Sequence, residues 1–480
     1  MMKRKQLLLL VGTIILAVMF NSCTETLTPI DPGGGGGGGG NTPAGFSGRI
    51  VDTTTNTPIV GATVWLFAKP QSEAKLSTIR SRSKRINSFI MDAEPFDHRY
   101  SGTALQKVTT DSSGRFLLDT LQFTQVNYTI AVTHPNYTWK YYSVKGSKLL
   151  GDMFTKPVIT VQAGAGQTFN WNIADQDYVV SGTINPTSLT IAAGVRVRVN
   201  PASGITFLNG GTFTATSSSE LTPIRITVNS DNTTDFMGNI AVLTSAVTLN
   251  NVHISGGGAQ NSPTITFDEA TGSITRTIIT NCNNGVTFRG LKVPLSLNFS
   301  GNVIRYITNT AITAVNSTNN TVENSVIYNT NLGVNHSSNS SLDYINCYIE
   351  GATNAYSATG GSSSLISCDV IALNGAALLL MNQAQASIDS CELVGKVSLN
   401  SNASGVQVGF ISDCNLMGTD AQFVVLTSLS YYFLGCYFNS STSETQAKSK
   451  IQIPSGNDIN NLQILGTLFA RIPGAGLKTW

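Results

Sequence analysis

Cysteine returns at Cys347, Cys368, Cys391, Cys414 and Cys436, in steps of 21, 23, 23 and 22 residues. A fixed period of roughly 20 to 50 residues is the mark of stacked supersecondary units, so this spacing limits the fold more sharply than any other feature. With the cysteines as position zero, the register extends back through Ser325, Asn302, Thr277 and Val252 and forward to Thr467, nearly all small residues. Two positions later stand Ile254, Ile279, Ile304, Ile327, Ile349, Val370, Leu393, Leu416, Phe438 and Phe469, all large and apolar. Three positions before the anchor stand Leu249, Ile274, Phe299, Val322, Tyr344, Leu365, Ile388, Ile411, Phe433 and Ile464. The residue just before it is Asn251, Arg276, Gly301, Asn324, Asn346, Ser367, Ser390, Asp413, Gly435 or Gly466, which apart from Arg276 are types that tolerate a left-handed turn.

An inward residue, a turn residue and a second inward pair, repeated every 21 to 25 residues, describe one coil of a solenoid. The leucine bias of a leucine-rich repeat is missing. Segments such as NVIRYITNTAITAV and NSVIYNTNLGVNH, with a polar turn between two short strands, resemble the right-handed parallel β-helix of the pectate-lyase-like superfamily. TIAAGVRVRVNPASGITF and GGTFTATSSSELTPIRITV look like its opening coils. Stacked equivalents lie about 4.8 Å apart, so the cysteines form an interior ladder where only small side chains fit. Their side chains point in parallel, with Cβ atoms farther apart than the ~3.8 Å of a disulfide, which predicts reduced, buried thiols.

Upstream of the stack the chain divides three ways. Residues 1–23 read as an export signal: Lys3, Arg4 and Lys5 precede an apolar run, Leu7 to Phe20, too short to span a bilayer comfortably. Ser22 before Cys23 resembles a bacterial lipobox, which implies lipidation at Cys23 and attachment to a membrane. Phe20 and Asn21 depart from the commonest form, so ordinary secretion or a retained anchor stays open. Residues 24–44, with eight glycines from Gly33 to Gly40, read as a flexible tether. Residues 45–175 carry FSGRIVDTTTNTPIVGATVWLF and VTTDSSGRFLLDTL, short alternating strands around Gly, Pro and Asn. These resemble the carboxypeptidase regulatory-like, transthyretin-like β-sandwich, in which the domain is usually an accessory module without catalytic residues. The fold class is therefore all-β: an N-terminal β-sandwich, then a right-handed parallel β-helix over 178–480. The insertion Lys69 to Gln106, with Lys75, Arg80, Arg82, Lys84 and Arg85, reads as an exposed basic loop, with an acidic glycan or lipid head group as the sharper alternative. His98 and His134 read as ordinary surface or strand residues, since no metal-ligand spacing surrounds them.

A net charge of +2 gives no reason to expect a nucleic-acid partner. The β-helix resemblance brings polysaccharide lyases and glycoside hydrolases into view, but the Asn-Thr-Asp, Asp-Asp, Gly-His-Gly and Arg-Ile-Lys motifs expected of pectin hydrolases do not occur, and His253 and His336 fall on distant coils. One position after the anchor should face outward, and there successive coils place Tyr348, Asp369, Glu392, Asn415 and Tyr437. Asp369 and Glu392 on neighbouring coils would lie about 5 Å apart, near the separation of a retaining glycosidase pair, and are the candidate catalytic residues. They would repel each other unless a proton or a cation such as Ca2+ intervened; no cofactor is otherwise implied. The same five residues are the candidate ligand-binding face, with Tyr348 and Tyr437 as stacking platforms for a glycan. The expected function is a non-enzymatic binding or adhesion module for polysaccharide in the cell envelope, as an outer-membrane lipoprotein. A polysaccharide-degrading enzyme and a structural spacer are the alternatives.

Overall fold

A computed structural model describes residues 25–26, 45–68, 74–82, 96–119, 127–145, 149–164, 166–291, 296–337, 340–382, 384–401, 408–418, 423–427, 430–439, 441, 443–452, 462–466, 470–473 and 475–476. Cys23, Lys84, Arg85, Thr467 and Phe469 lie outside the described residues, as does the export segment. Among the described residues no helix is long and apolar enough to cross a membrane.

The C-terminal part is a parallel β-solenoid. One face is a 13-stranded parallel sheet that runs from Thr168–Trp171 to Leu462–Leu465. Each coil then turns a corner into further strands; Thr271–Thr275, Ile278–Cys282 and Val286–Arg289 make up one winding. The stack takes in Ile159–Gln162, which pairs with Asp177–Ser181, and Thr168–Trp171, which pairs with Ser188–Ile191. Val161 and Trp171 accordingly pack into the solenoid core.

Position zero and its neighbours set the corner. The preceding residue has φ between 49° and 68° on all ten coils from Asn251 to Gly466, and Arg276 adopts it too, at 49°. A left-handed residue swings the chain through the bend, and Asn, Gly, Asp and Ser adopt that conformation at least cost. The described columns two after and three before the anchor fill the lumen at no more than 7% exposure. At the anchor itself size is only half of the explanation. At five anchors, Thr277, Asn302, Cys347, Cys368 and Cys391, the amide N–H donates to the anchor side chain of the next coil. Thr277 N–H donates to Asn302 Oδ1 at 3.0 Å, Asn302 N–H to Ser325 Oγ at 3.2 Å, and Cys347, Cys368 and Cys391 N–H to the next sulfur at 3.4, 3.3 and 3.3 Å. Where that bond is made the side chain must therefore be small and able to accept, which Asn, Ser and Cys satisfy and Ala does not, whereas Val252 on the first of these coils fills the position by size alone. The five ladder cysteines and Cys282 are buried free thiols, and burial pushes Cys347 and Cys391 well above the ordinary thiol range.

The N-terminal part has two sheets facing one core, as in a β-sandwich. Arg115–Leu118, Phe46–Asp52 and Leu149–Thr155 form one; Tyr137–Val144, Tyr128–His134, Thr63–Ala68 and Gln106–Thr109, with the short strand Glu25–Thr26 at the edge, form the other. Phe46, Ile50, Phe116 and Leu118 meet Val64, Leu66, Ile130 and Tyr142 between them. Glu25–Thr26 pairs with Tyr142 and Ser143, so part of the segment between Cys23 and the glycines is tied to a sheet edge. The basic insertion contains a helix, Ala74–Arg82, whose Ile79 is buried against the solenoid.

Candidate functional site

The strands that follow the corner carry the outward column anticipated from the repeat. Tyr348 pairs with Asp369, Asp369 with Glu392, Glu392 with Asn415 and Asn415 with Tyr437, in one unbroken register. The same column continues upstream through Val326, Val303, Ile278 and His253 to Arg225, Arg196 and Asp177. Two positions on, a parallel column holds Arg198, Thr227, Ser255, Thr280, Arg305 and Tyr328. These residues point away from the lumen, yet most are buried, because other parts of the chain roof the sheet. That differs from the expectation of a solvated face, and the cause lies in four covering segments.

The first coils lie under the sandwich. Asp177 contacts Arg196 Nη1 at 3.1 Å and Arg198 Nε at 3.0 Å and accepts the Trp139 N–H at 3.0 Å. Arg198, fully buried, donates to the carbonyls of His134, Pro135 and Tyr137; burial pulls its guanidinium down to about 10 despite the carboxylate beside it. The segment Asp97–Arg99 covers the next coil. Arg99 grips Asp97 through two hydrogen bonds of 3.0 and 2.7 Å and also donates to Thr227 and Ser255. Burial alone would raise the Asp97 carboxyl, yet the Arg99 guanidinium holds it far below the usual carboxylate range. His253, in the column beneath, is pulled down to about 4 by burial, with Arg225 and Arg99 adding to the effect.

His98 is not the surface residue expected from its sequence context. Its Nε2 lies 2.9 Å from Asp231 Oδ1, its Nδ1 lies 3.3 Å from the Tyr141 hydroxyl, and its ring is buried against Trp139. His134 is half-buried and its Nδ1 accepts the Asn136 N–H. His336 faces the lumen between Tyr344 and Tyr356, with Nε2 2.9 Å from the Tyr344 hydroxyl and Nδ1 3.1 Å from Ser363 Oγ.

The middle coils lie under the helix Ala74–Arg82. Ile79 and Leu76 pack on Ile278, Val303, Val326, Tyr328 and Tyr348. Lys75 reaches Glu350 Oε1 at 2.6 Å and Asn329 Oδ1 at 3.3 Å. This corrects the reading of the insertion as an exposed basic loop: the Lys75 charge is paired with Glu350 of the solenoid, Arg99 is buried against Asp97 with bonds to Thr227 and Ser255, and Ile79 supplies an apolar anchor.

The last coils lie under the C-terminal segment, residues 470–476. Arg471 pairs with Glu392, and this contact raises the guanidinium above its ordinary value. Ile472 N–H donates to Asn415 Oδ1 at 2.8 Å while Asn415 Nδ2 donates to Ile472 O at 3.0 Å. Gly476 N–H donates to Ser390 O at 2.7 Å, and a Cβ at Gly476 would fall 2.1 Å from Asp369 Oδ1. Asp369, Glu392 and Asn415 are thus neighbours, as the repeat predicts, but closed off; Tyr348 is buried and Tyr437 half-exposed. Among the described residues no group of three or more His, Cys, Asp and Glu is placed to hold a metal ion.

The residues missed from sequence are Asp177, Arg196, Arg198 and Arg225 in the column and Asp97, His98 and Arg99 in the insertion. A signal existed. RVRV, residues 196–199, alternates arginine with inward valine in a chain with only 12% charged residues, so each such charge calls for a partner.

Among the described residues the outward side of the 13-stranded sheet is exposed at Thr190, Thr248 and Asn298. On the 13-stranded sheet Thr190, Thr214, Thr248, Ser273 and Asn298 stand in register and point outward. Toward the C-terminal end Ser364 pairs with Ser387, and then come Phe410 and Tyr432, paired and stacked with centroids 5.4 Å apart at 20°. Phe410 is 44% exposed. No family, no curated protein and no solved structure matches this chain.

Proposed function

We propose that the chain is an exported, lipid-anchored component of a bacterial outer membrane that works as a non-enzymatic binding or adhesion module for polysaccharide, built from a carboxypeptidase regulatory-like sandwich and a right-handed pectate-lyase-like β-helix. One observation carries the binding reading: the stack of exposed Phe410 on half-exposed Tyr432, on a sheet whose outward column is otherwise lined by Thr, Ser and Asn. The free face of Phe410 overlooks the small Ser387 and Ser364, leaving a step about 4.8 Å per coil in which a pyranose ring can lie on the aromatic face and exchange hydrogen bonds with hydroxyls. Aromatic rings beside a polar floor suit sugars because a sugar has apolar C–H faces and polar edges.

Of the column Tyr348, Asp369, Glu392, Asn415 and Tyr437, the polar trio Asp369, Glu392 and Asn415 belongs to this reading as a second contact that opens when the C-terminal segment around Arg471, Ile472 and Gly476 lifts, while Tyr348 stays under Ile79. Retention of the protein on a polysaccharide panel tests both. Phe410→Ala and Tyr432→Ala should each weaken retention on whichever polysaccharide binds. Loosening the tail with Gly476→Ala should strengthen it if the column contributes. Release of reducing ends or unsaturated products from the same panel would replace the binding module with an enzyme, and inertness in both assays would leave the spacer. Metabolic lipid labelling that persists in Cys23→Ala would remove the anchor.

A further inference from the structure

The contact between Lys75, Asn329 and Glu350 joins the sandwich insertion to the solenoid at a point where an amine, a carboxamide and a carboxyl group converge. Lys75 comes from the helix Ala74–Arg82, Asn329 from the corner of the strand Val326–Ser337, and Glu350 from the next coil. Lys75 Nζ lies 3.3 Å from Asn329 Oδ1 and 2.6 Å from Glu350 Oε1. Glu350 is 2% exposed and held from both sides: Tyr348 donates its hydroxyl to Oε2 at 2.9 Å, and the Asn329 N–H points at Oε1 at 3.4 Å. Asn329 is itself fixed at a left-handed corner with φ 52°. Around the trio stand Ile79, Val326, Tyr328 and Tyr348, and the Tyr328 ring centroid is 5.7 Å from Nζ.

We propose that Lys75 and Asn329 form an intramolecular isopeptide bond, with Glu350 moving the protons. An ordinary ion pair needs only Lys75 and Glu350. The carboxamide within reach of the same nitrogen is the additional feature: the Lys75 side chain stays 35% exposed, but its Nζ is held between Glu350, Asn329 and the Tyr328 ring. Since the C=O bond is about 1.2 Å long, Asn329 Cγ is no more than ~1.2 Å beyond Oδ1 from Nζ. Reacting atoms need to approach within about 3 to 3.5 Å, a shift of order 1 Å that side-chain rotation supplies.

The step balances without oxidant or cofactor. Glu350 takes a proton from the Lys75 ammonium, and the freed lone pair attacks Asn329 Cγ to form the Nζ–Cγ bond. Glu350 returns its proton to Nδ2, the Cγ–Nδ2 bond breaks, and ammonia leaves. The second Nζ proton passes through Glu350 to the departing ammonia. Ammonium side chain plus carboxamide become a secondary amide plus ammonium ion, and Glu350 ends as it began, a carboxylate. The product would tie the sandwich insertion to the stack covalently. This inference stands on the geometry of the junction and is independent of the polysaccharide reading.

Peptide mapping of the denatured full-length protein tests it. The expected result is a branched peptide that joins the Lys75 and Asn329 segments and is lighter than their sum by one ammonia, with no tryptic cleavage after Lys75. Lys75→Arg keeps the ion pair and should abolish the branch, as should Glu350→Gln. Recovery of the two linear peptides alone from the wild-type protein, meaning an ion pair only, would overturn the proposal. A branch that persists in Glu350→Gln would overturn the role given to the carboxylate.

Discussion

His336 offers a quantitative test of how the solenoid interior is held. It is fully buried, hydrogen-bonded to the hydroxyls of Tyr344 and Ser363, and burial pulls its imidazole from 6.5 down to about 3. The folded value is depressed, so below pH 6.5 the unfolded chain takes up a proton that the folded chain refuses. Stability is fully present above pH 6.5 and is lost as pH falls toward 3, at about 1.4 kcal/mol per pH unit for this one group. Between pH 6.5 and 4, roughly 2.5 units, that amounts to about 3 kcal/mol. His253, pulled down to about 4, and Asp231, lowered beside His98, act with the same sign. His336→Gln separates its share, because glutamine keeps a donor and an acceptor near Tyr344 and Ser363 but does not titrate. The substitution should cost about 1 to 2 kcal/mol at pH 7 through imperfect hydrogen bonds. Urea unfolding of both proteins at half-unit steps from pH 7 to pH 4 should then give curves that converge and cross as pH falls, with the wild type about 1 to 2 kcal/mol the less stable at pH 4. Parallel curves over that range would refute the assignment of a neutral, proton-refusing His336.

At the junction, Asp177→Asn leaves Arg196 and Arg198 buried without their carboxylate, and should cost about 3 to 5 kcal/mol in urea unfolding; a loss below about 1 kcal/mol would show that the carbonyls around Arg198 suffice alone. Gly476 has φ 93° and no room for a Cβ, so Gly476→Ala should free the tail without unfolding the stack, read as faster proteolytic removal of the C-terminus at an unchanged melting temperature; unchanged cleavage refutes the latch. In the ladder, Cys391→Ala removes the acceptor for the Cys368 N–H and should cost about 1 to 3 kcal/mol, while Cys391→Ser, which imitates Ser325, should cost less; the reverse order in thermal melts would return the anchor to a matter of size.

How far the sequence carried depends on what kind of fact was asked of it. The solenoid, its register and its left-handed corners were legible because each depends on neighbours within one coil, and the repeat samples the same environment about ten times. The polar duty of position zero is visible only as Thr, Asn, Ser and Cys standing in for one another, which size explains equally well, because hydrogen bonds across coils leave no mark on any single coil. The roof over the outward column was not legible. Ile79, Arg99 and Arg471 meet Val326, Ser255 and Glu392 across separations of 79 to 247 residues, and no periodicity links such pairs. The burial of His98 is hidden for the same reason: its partner, Asp231, is 133 residues away.

The roof also explains why the outward column changes character along its length. A solvated column on a solenoid has no reason to pass from Asp177, Arg196 and Arg225 through Ile278, Val303 and Val326 to Asp369, Glu392 and Asn415. Each block matches what lies on it. Charged residues take the hydrogen-bonding backbone of His134–Trp139 and the Asp97–Arg99 segment, apolar ones take Ile79 and Leu76, and carboxylates with an amide take Arg471 and the Ile472 backbone. Removing one partner from the buried polar blocks strands a charge, whereas removing Ile79 only exposes hydrocarbon. The sandwich should therefore stay docked through Ile79→Ala and loosen with Asp177→Asn, an asymmetry that follows from the larger cost of an unpaired buried charge.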